Sequence, residues 1–187
     1  HQAIRRSATS RLLDQFMPKT ASPEDWDLDA LNEALLKDFN ARLDTKTLIG
    51  EDIKTAADRP EGFDELGTRQ RVIQAVADLY QAKVDRVGAP VMRHVEKDVM
   101  LRMLDQHWRD HLAAMDYLRQ GIHLRGYAQK DYRYEYKREA FEMFAAMLDR
   151  VKFETVSMLS KVEVRTQEEV DREEEERRER LMRVLQA

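Results

Sequence analysis

"GIHLRGYAQKD", residues 121–131, holds two of the chain's six glycines and stands between two long stretches free of helix breakers. No glycine or proline occurs from Val91 to Gln120, nor again from Tyr127 to Ala187. Upstream, Leu101, Leu104, Trp108, Leu112, Met115, Leu118 and Ile122 follow one another in steps of three and four. That is one face of an amphipathic helix, and thirty residues of it would span ~45 Å. Downstream, Phe141, Phe144, Leu148, Val151, Thr155 and Leu159 repeat the device. Two such stretches joined by a short glycine-bearing loop predict a long antiparallel helical hairpin, within a fold expected to be all-α. No alternating strand pattern of useful length and no internal repeat competes with this reading.

The N-terminal half is punctuated where the C-terminal half is not. All four prolines and four of the six glycines lie within residues 18–90. A first helix is expected from His1 to Met17, stopped by Pro18. Ser22 before Pro23 has the form of a helix start, with a capping hydroxyl and proline in the first turn. Asp27 is expected to cap a helix through Leu31, Leu35, Leu36 and Phe39. Residues 40–67 carry Gly50, Pro60, Gly62 and Gly67 and predict turns around one short helix. From Thr68 the helical spacing returns through Val72, Ile73, Val76, Leu79 and Tyr80, until Gly88 and Pro90 break it. At the far end, "EEVDREEEERRER" is nearly all charge. Its Glu173/Arg177, Glu174/Arg178 and Glu176/Arg180 pairs predict a solvated, charged helical or frayed tail, each pair worth only ~0.2–0.5 kcal/mol.

Composition limits the functional classes. Charged residues make up 36% of the 187 and hydrophobic residues 42%, which suits an extended helical protein better than a thick core. No stretch approaches the ~20 apolar residues that cross a bilayer, and the chain reads as soluble. It contains no cysteine, hence no disulfide framework and no thiolate zinc site, so a reducing cytosol is permitted. It opens on His1 rather than methionine and is read as a piece of a longer protein. The net charge of -4 argues against wholesale nucleic-acid binding. Locally the balance reverses: residues 121–138 place Arg125, Lys130, Arg133, Lys137 and Arg138 against Asp131 and Glu135.

No catalytic constellation emerges. His107 and His111 stand four apart, as the two zinc ligands of H-E-x-x-H do, but Trp108 occupies the position of the catalytic glutamate and no third ligand is evident. Packing or hydrogen bonding is the expected role of both rings, and no metal site is assigned. There is no phosphate-cradling G-x-x-x-x-G-K-[ST] and no G-x-S-x-G. Seven of the nine methionines fall in the expected hairpin, where core packing is favoured over an adaptable partner surface.

Tyrosine is the informative residue. Tyr127, Tyr132, Tyr134 and Tyr136 are four of the six tyrosines, and all are interleaved with the basic patch. Neighbours at i,i+2 point ~200° apart on a helix, so Tyr132, Tyr134 and Tyr136 cannot share one face and at least one must be exposed or meet a partner. Amphipathic rings beside cations suit a structural cap of the loop. They equally suit a polypeptide gripped without regard to its sequence, or a single-stranded nucleic acid held by stacking and phosphate neutralisation.

The words "HWRDHLAAMDYLRQGIHLRGYAQKD" and "EYKREAFEMFAAMLDRVKFETVSMLSKVEV" resemble the C-terminal helical part of the SecA family, the ATP-driven motors of bacterial protein secretion. The resemblance is strongest over residues 88–164, while residues 1–88, with "WDLDALNEALLKDF", resemble the family's more variable wing. It implies a helical wing at 1–88, a scaffold segment with a two-helix finger at 89–164 (tip about 121–131), and a tail at 165–187. It further implies that the tip touches the translocating preprotein at the mouth of the SecYEG channel. Tyr127 would make much of that contact, Arg125 and Lys130 would be its polar neighbours, and Gly121 and Gly126 would serve as loop hinges. The motor domains of the parent chain are implied partners, an anionic membrane surface is implied through the parent, and no nucleic acid is expected. ATP and magnesium are implied for the parent only. This chain is expected to carry no cofactor and no enzymatic activity, and to act in the cytoplasm at the periphery of the bacterial inner membrane. One departure is Tyr132, which stands where the family often has proline.

Overall fold

A computed structural model describes residues 2–58, 60–125 and 132–185, excluding the side chains of Pro60, His123, Leu124, Arg125 and Gln167. The described residues form seven α-helices and no strand. The helices are α1 (Gln2–Phe16), α2 (Leu28–Phe39), α3 (Thr45–Asp58), α4 (Glu65–Val87), α5 (Ala89–Arg125), α6 (Tyr132–Lys161) and α7 (Gln167–Leu185). The all-α expectation holds.

Local chemistry sets the ends of the first four helices. Pro18 follows the end of α1, and Met17 N closes its last turn on Leu13 O at 2.7 Å. Asp27 caps α2 as expected, its Oδ1 accepting from Ala30 N at 2.9 Å. Asn40 ends that helix in the left-handed region, φ 49°, a conformation a short polar side chain tolerates. Three boundaries differ from expectation. Ser22 makes no side-chain capping bond, and Pro23 opens only the three-residue 3-10 turn Pro23–Asp25. Residues 40–67 hold a full 14-residue helix, α3, which carries Gly50 in its interior. α4 begins at Glu65 rather than Thr68, because Asp64 Oδ1 accepts from Gly67 N at 2.9 Å and caps it there.

The principal core gathers Leu12 and Leu13 of α1, Leu31, Leu35 and Phe39 of α2, Ile49 of α3, and Val72 and Val76 of α4. Val156 of α6 is buried in the same cluster, with Phe153 packed against it. Leu13, Leu31, Leu35 and Ile49 are wholly excluded from solvent. Truncating any of these leucines to alanine should cost ~2–5 kcal/mol. Arg69 of α4 staples the end of α1 from within, donating to Met17 O at 2.7 Å and to Ser10 O at 3.4 Å while pairing with Asp14.

Between α4 and α5 the chain turns at Gly88, φ +97°. Its N–H bonds Val84 O at 2.8 Å and its carbonyl accepts from Met92 N at 3.1 Å, so one residue closes α4 and opens α5. Pro90 then falls in the first turn of α5, where a missing N–H costs nothing. α5 runs 37 residues and α6 runs 30, about 55 Å and 45 Å of helix. Contacts between them run in opposite senses. His107 meets Glu154, His111 meets Phe144, and Leu118 with Gly121 lies beside Met143 and Glu139. The two helices are therefore antiparallel.

The seam between them is not the row the sequence pointed to. Leu118 and Ile122 are buried there, but Leu101, Leu104, Trp108 and Leu112 are exposed, and so is Phe141 on α6. His107 and His111 take their place in the seam, each 8% exposed. Apolar spacing fixes which residues share a face of α5, but not which neighbour that face will meet.

Beyond α6, Thr166 and Glu169 form a capping box at the start of α7. Glu169 Oε2 accepts from Thr166 N at 2.8 Å, and Glu169 N donates to Thr166 Oγ1 at 3.2 Å. Of the pairs expected along α7, Glu176–Arg180 forms at 3.4 Å, whereas Glu173 reaches back to Arg165 at 2.5 Å.

Candidate functional site

The candidate site lies where α5 ends and α6 begins. Of the residues singled out from the sequence, Tyr127, Lys130 and Gly126 lie outside the described residues. Arg125 is the last residue of α5, its side chain likewise undescribed. Gly121 corrects an expectation: it sits inside α5, four residues before its end, rather than in the loop. A Cβ built on it would meet nothing within 4 Å. Helix propagation through Leu118 and Ile122, whose burial against α6 outweighs the ~1 kcal/mol cost of a helical glycine, carries α5 past it.

What flanks the tip is aromatic and charged. Tyr134 is 65% exposed and Tyr132 is exposed, while Tyr136 is half-buried, so the three tyrosines diverge as the helical geometry requires. Arg133 places its guanidinium 5.9 Å from the Tyr132 ring centroid, at the outer reach of a cation–π contact. Arg138 bonds Glu135 at 2.7 Å and approaches Glu142 at 3.9 Å, a surface chain worth little to stability. About two turns back from the end of α5, Tyr117 is 80% exposed. With Ala114, Leu118, Gly121, Glu139 and Met143 it rims an open hollow of about 340 Å³. Tyr117 was missed from the sequence. Its i,i+4 spacing to Gly121, which leaves its ring unsupported on one side, was the available signal.

The two histidines are tied into the seam. His107 Nε2 lies 2.8 Å from Glu154 Oε2. The His111 ring packs between Trp108 and Phe144, with centroids 5.6 Å and 5.8 Å away. Packing and hydrogen bonding thus account for both rings. Among the described residues no group of three or more histidine, cysteine or acidic side chains comes together as a metal site would require. No helix among them is long and apolar enough to cross a membrane.

A helical bundle fused to a long antiparallel pair, whose far end exposes tyrosines among cations, defines a scaffold that presents a surface. Residues 1–163 match the SecA wing and scaffold domain, and the chain belongs to that family. Membership gives it a SecA-like part in protein export, within the non-catalytic helical portion of the translocase.

Proposed function

We propose that this chain delivers the motor's movement to a secreted polypeptide. The family match over residues 1–163 carries the proposal. In this reading α5 and α6 are the two-helix finger, and residues 121–131 form its tip at the cytoplasmic mouth of SecYEG. Tyr127 makes the main contact with the unfolded preprotein, and Arg125 and Lys130 supply polar contact beside it. A phenol ring suits that task because it offers apolar area and one hydrogen bond without demanding a particular side chain. Tyr117, Tyr132 and Tyr134, exposed on the flanking turns, support it by extending an aromatic surface around the tip.

ATP and magnesium act elsewhere in the parent, and the exposed row Leu101, Leu104, Trp108 and Leu112 is where we place contact with its motor domains. The whole works in the cytoplasm against the inner membrane, reaching its anionic surface through the parent. Tyr127→Ala in the full-length protein tests the tip. Transport of several preproteins should fall severalfold while folding and ATP binding persist; unchanged transport of all of them would refute the role of the tyrosine.

A further inference from the structure

The last turns of α4 are gripped from two sides by polar bonds outside the candidate site. On one side, Tyr80 lies under Arg5 of α1, whose guanidinium carbon is 3.3 Å from the ring centroid. The Tyr80 hydroxyl donates to Glu96 Oε1 of α5 at 2.9 Å, and Arg5 Nη2 stands 3.7 Å from that same oxygen. All three side chains are buried. Burial, and then the bond to the Glu96 carboxylate, holds the phenol well above its ordinary titration range, so it remains a donor.

Three residues on, Lys83 Nζ donates to Leu159 O at 2.8 Å, to Ser160 O at 3.3 Å and to Val162 O. These carbonyls lie at the C-terminal end of α6, where the helix supplies no donors of its own and an ammonium meets the negative end of the dipole. Three protons meet three acceptors. Burial draws the Lys83 pKa down, and the nearby Arg86 charge adds to that, so the ammonium depends on these carbonyls in place of water.

The two grips reach different partners. Tyr80 joins α4 to α1 and α5, and Lys83 joins it to the end of α6. Between them lies a small apolar cluster of Tyr80, Val87, Met92 and Leu159, backed by Val84, Val95 and Val99. Apolar burial has no preferred direction, so this cluster and the packing of Phe153 and Val156 in the principal core would hold the parts together while permitting a roll about Gly88, and the exposed Arg11–Asp149 pair between α1 and α6, 3.5 Å, adds little against it. Hydrogen bonds do have direction, and two of them to different helices define an angle. We infer that Tyr80 and Lys83 are positioning residues that lock the attitude of the α1–α4 bundle against the α5–α6 pair, making the two move as one lever.

Spin labels at Lys37 of α2 and Ala113 of α5, both exposed, test this in the full-length protein by pulsed distance measurement. In the Lys83→Met, Tyr80→Phe double variant the distance distribution should broaden about twofold, as expected when a hinge is freed. Lys83→Arg, which keeps a cation, should recover most of the narrow distribution where Lys83→Met does not. An unchanged width in the double variant, with helix content intact by circular dichroism, would overturn the inference. If the double variant loses helix content, Lys83→Met alone decides, since its aliphatic stem preserves packing: its distribution broadens or the inference falls. No channel or preprotein enters the measurement, so a failure here leaves the reading of Tyr127 standing, and the reverse is also true.

Discussion

Replacing Gly88 by alanine isolates a backbone effect from a packing effect. Gly88 has φ +97° and ψ 134°, a combination that side chains rarely adopt. A Cβ there would meet nothing within 4 Å, so no clash contributes. The backbone strain should cost ~1–3 kcal/mol. Restricting the unfolded chain returns ~0.4–1 kcal/mol, which leaves a net loss of about 1–2 kcal/mol. For a domain of this size, that lowers the melting midpoint by roughly 2–8 °C. One escape is open in principle: α4 and α5 could fuse into a single helix about 90 Å long. Pro90 blocks it, since it offers no N–H to Arg86 O and its ring would clash with that carbonyl, at ~3 kcal/mol. Gly88→Ala should therefore melt lower while keeping the bend. Gly88→Ala with Pro90→Ala should straighten, which lengthens the separation between labels on α2 and α5. Thermal unfolding followed by circular dichroism measures the first effect. A midpoint unchanged or raised by Gly88→Ala would refute the reading of this residue as a strained, glycine-only elbow.

Two other substitutions test the bundle and the tail. Arg69→Met keeps the aliphatic stem but strips the donors from Met17 O and Ser10 O, leaving a buried carbonyl unpaired. A loss of about 3 kcal/mol is expected by denaturant titration, and less than about 1 kcal/mol would mean the staple is ornamental. At the start of α7, the bond from Thr166 N holds the Glu169 carboxyl below its ordinary range, with the Arg86 charge assisting. A depressed carboxylate stabilises above its unfolded pKa and stops doing so as pH falls through its folded one. Hydrogen-exchange protection in the first turn of α7 should therefore drop as pH falls through and below the ordinary glutamate range, and Glu169→Gln should flatten that dependence. Protection that ignores pH in the unsubstituted chain would count against the capping box.

Much of the architecture was legible because it follows from local rules. Asp27 and Pro18 act on their own neighbours, and both behave as the sequence suggests. The long breaker-free runs could hardly be anything but helices. Two further local signals lie in the sequence: Asp64 with Gly67 three residues on, and Thr166 with Glu169 in the T-x-x-E order of a capping box. What the sequence hid was long-range. Arg5, Tyr80 and Glu96 are separated by up to 91 positions, and nothing in their spacing announces a shared buried oxygen. Lys83 is one lysine among many charged residues until α6 ends against it. The helical apolar row was visible, but not that α5 would turn His107 and His111, rather than Leu101, Leu104, Trp108 and Leu112, inward. Near the tip, the divergence of Tyr132, Tyr134 and Tyr136 was readable from helix geometry, and the only signal for the exposure of Tyr117 was its i,i+4 spacing to Gly121.

The polar seam explains how α5 and α6 can be both stiff and available. In a pair joined by an uninterrupted leucine seam, one-turn sliding exchanges one apolar contact for another at modest cost. Here a slip would part His107 from Glu154 and leave a buried ring nitrogen without its partner, at about 1–3 kcal/mol. The His111 ring would lose its contact with Phe144 of α6 as well. Register is thus fixed by directional bonds, and Leu101, Leu104, Trp108 and Leu112 are released from that duty to face outward. These four are each close to half exposed, so covering them would add about 1 kcal/mol apiece to an encounter. For the role proposed above, a pair that carries displacement to its tip needs a fixed register more than it needs a strong seam. His107 and His111 meet the first requirement, and the outward Leu101, Leu104 and Leu112 stay free for the motor-domain contact proposed above.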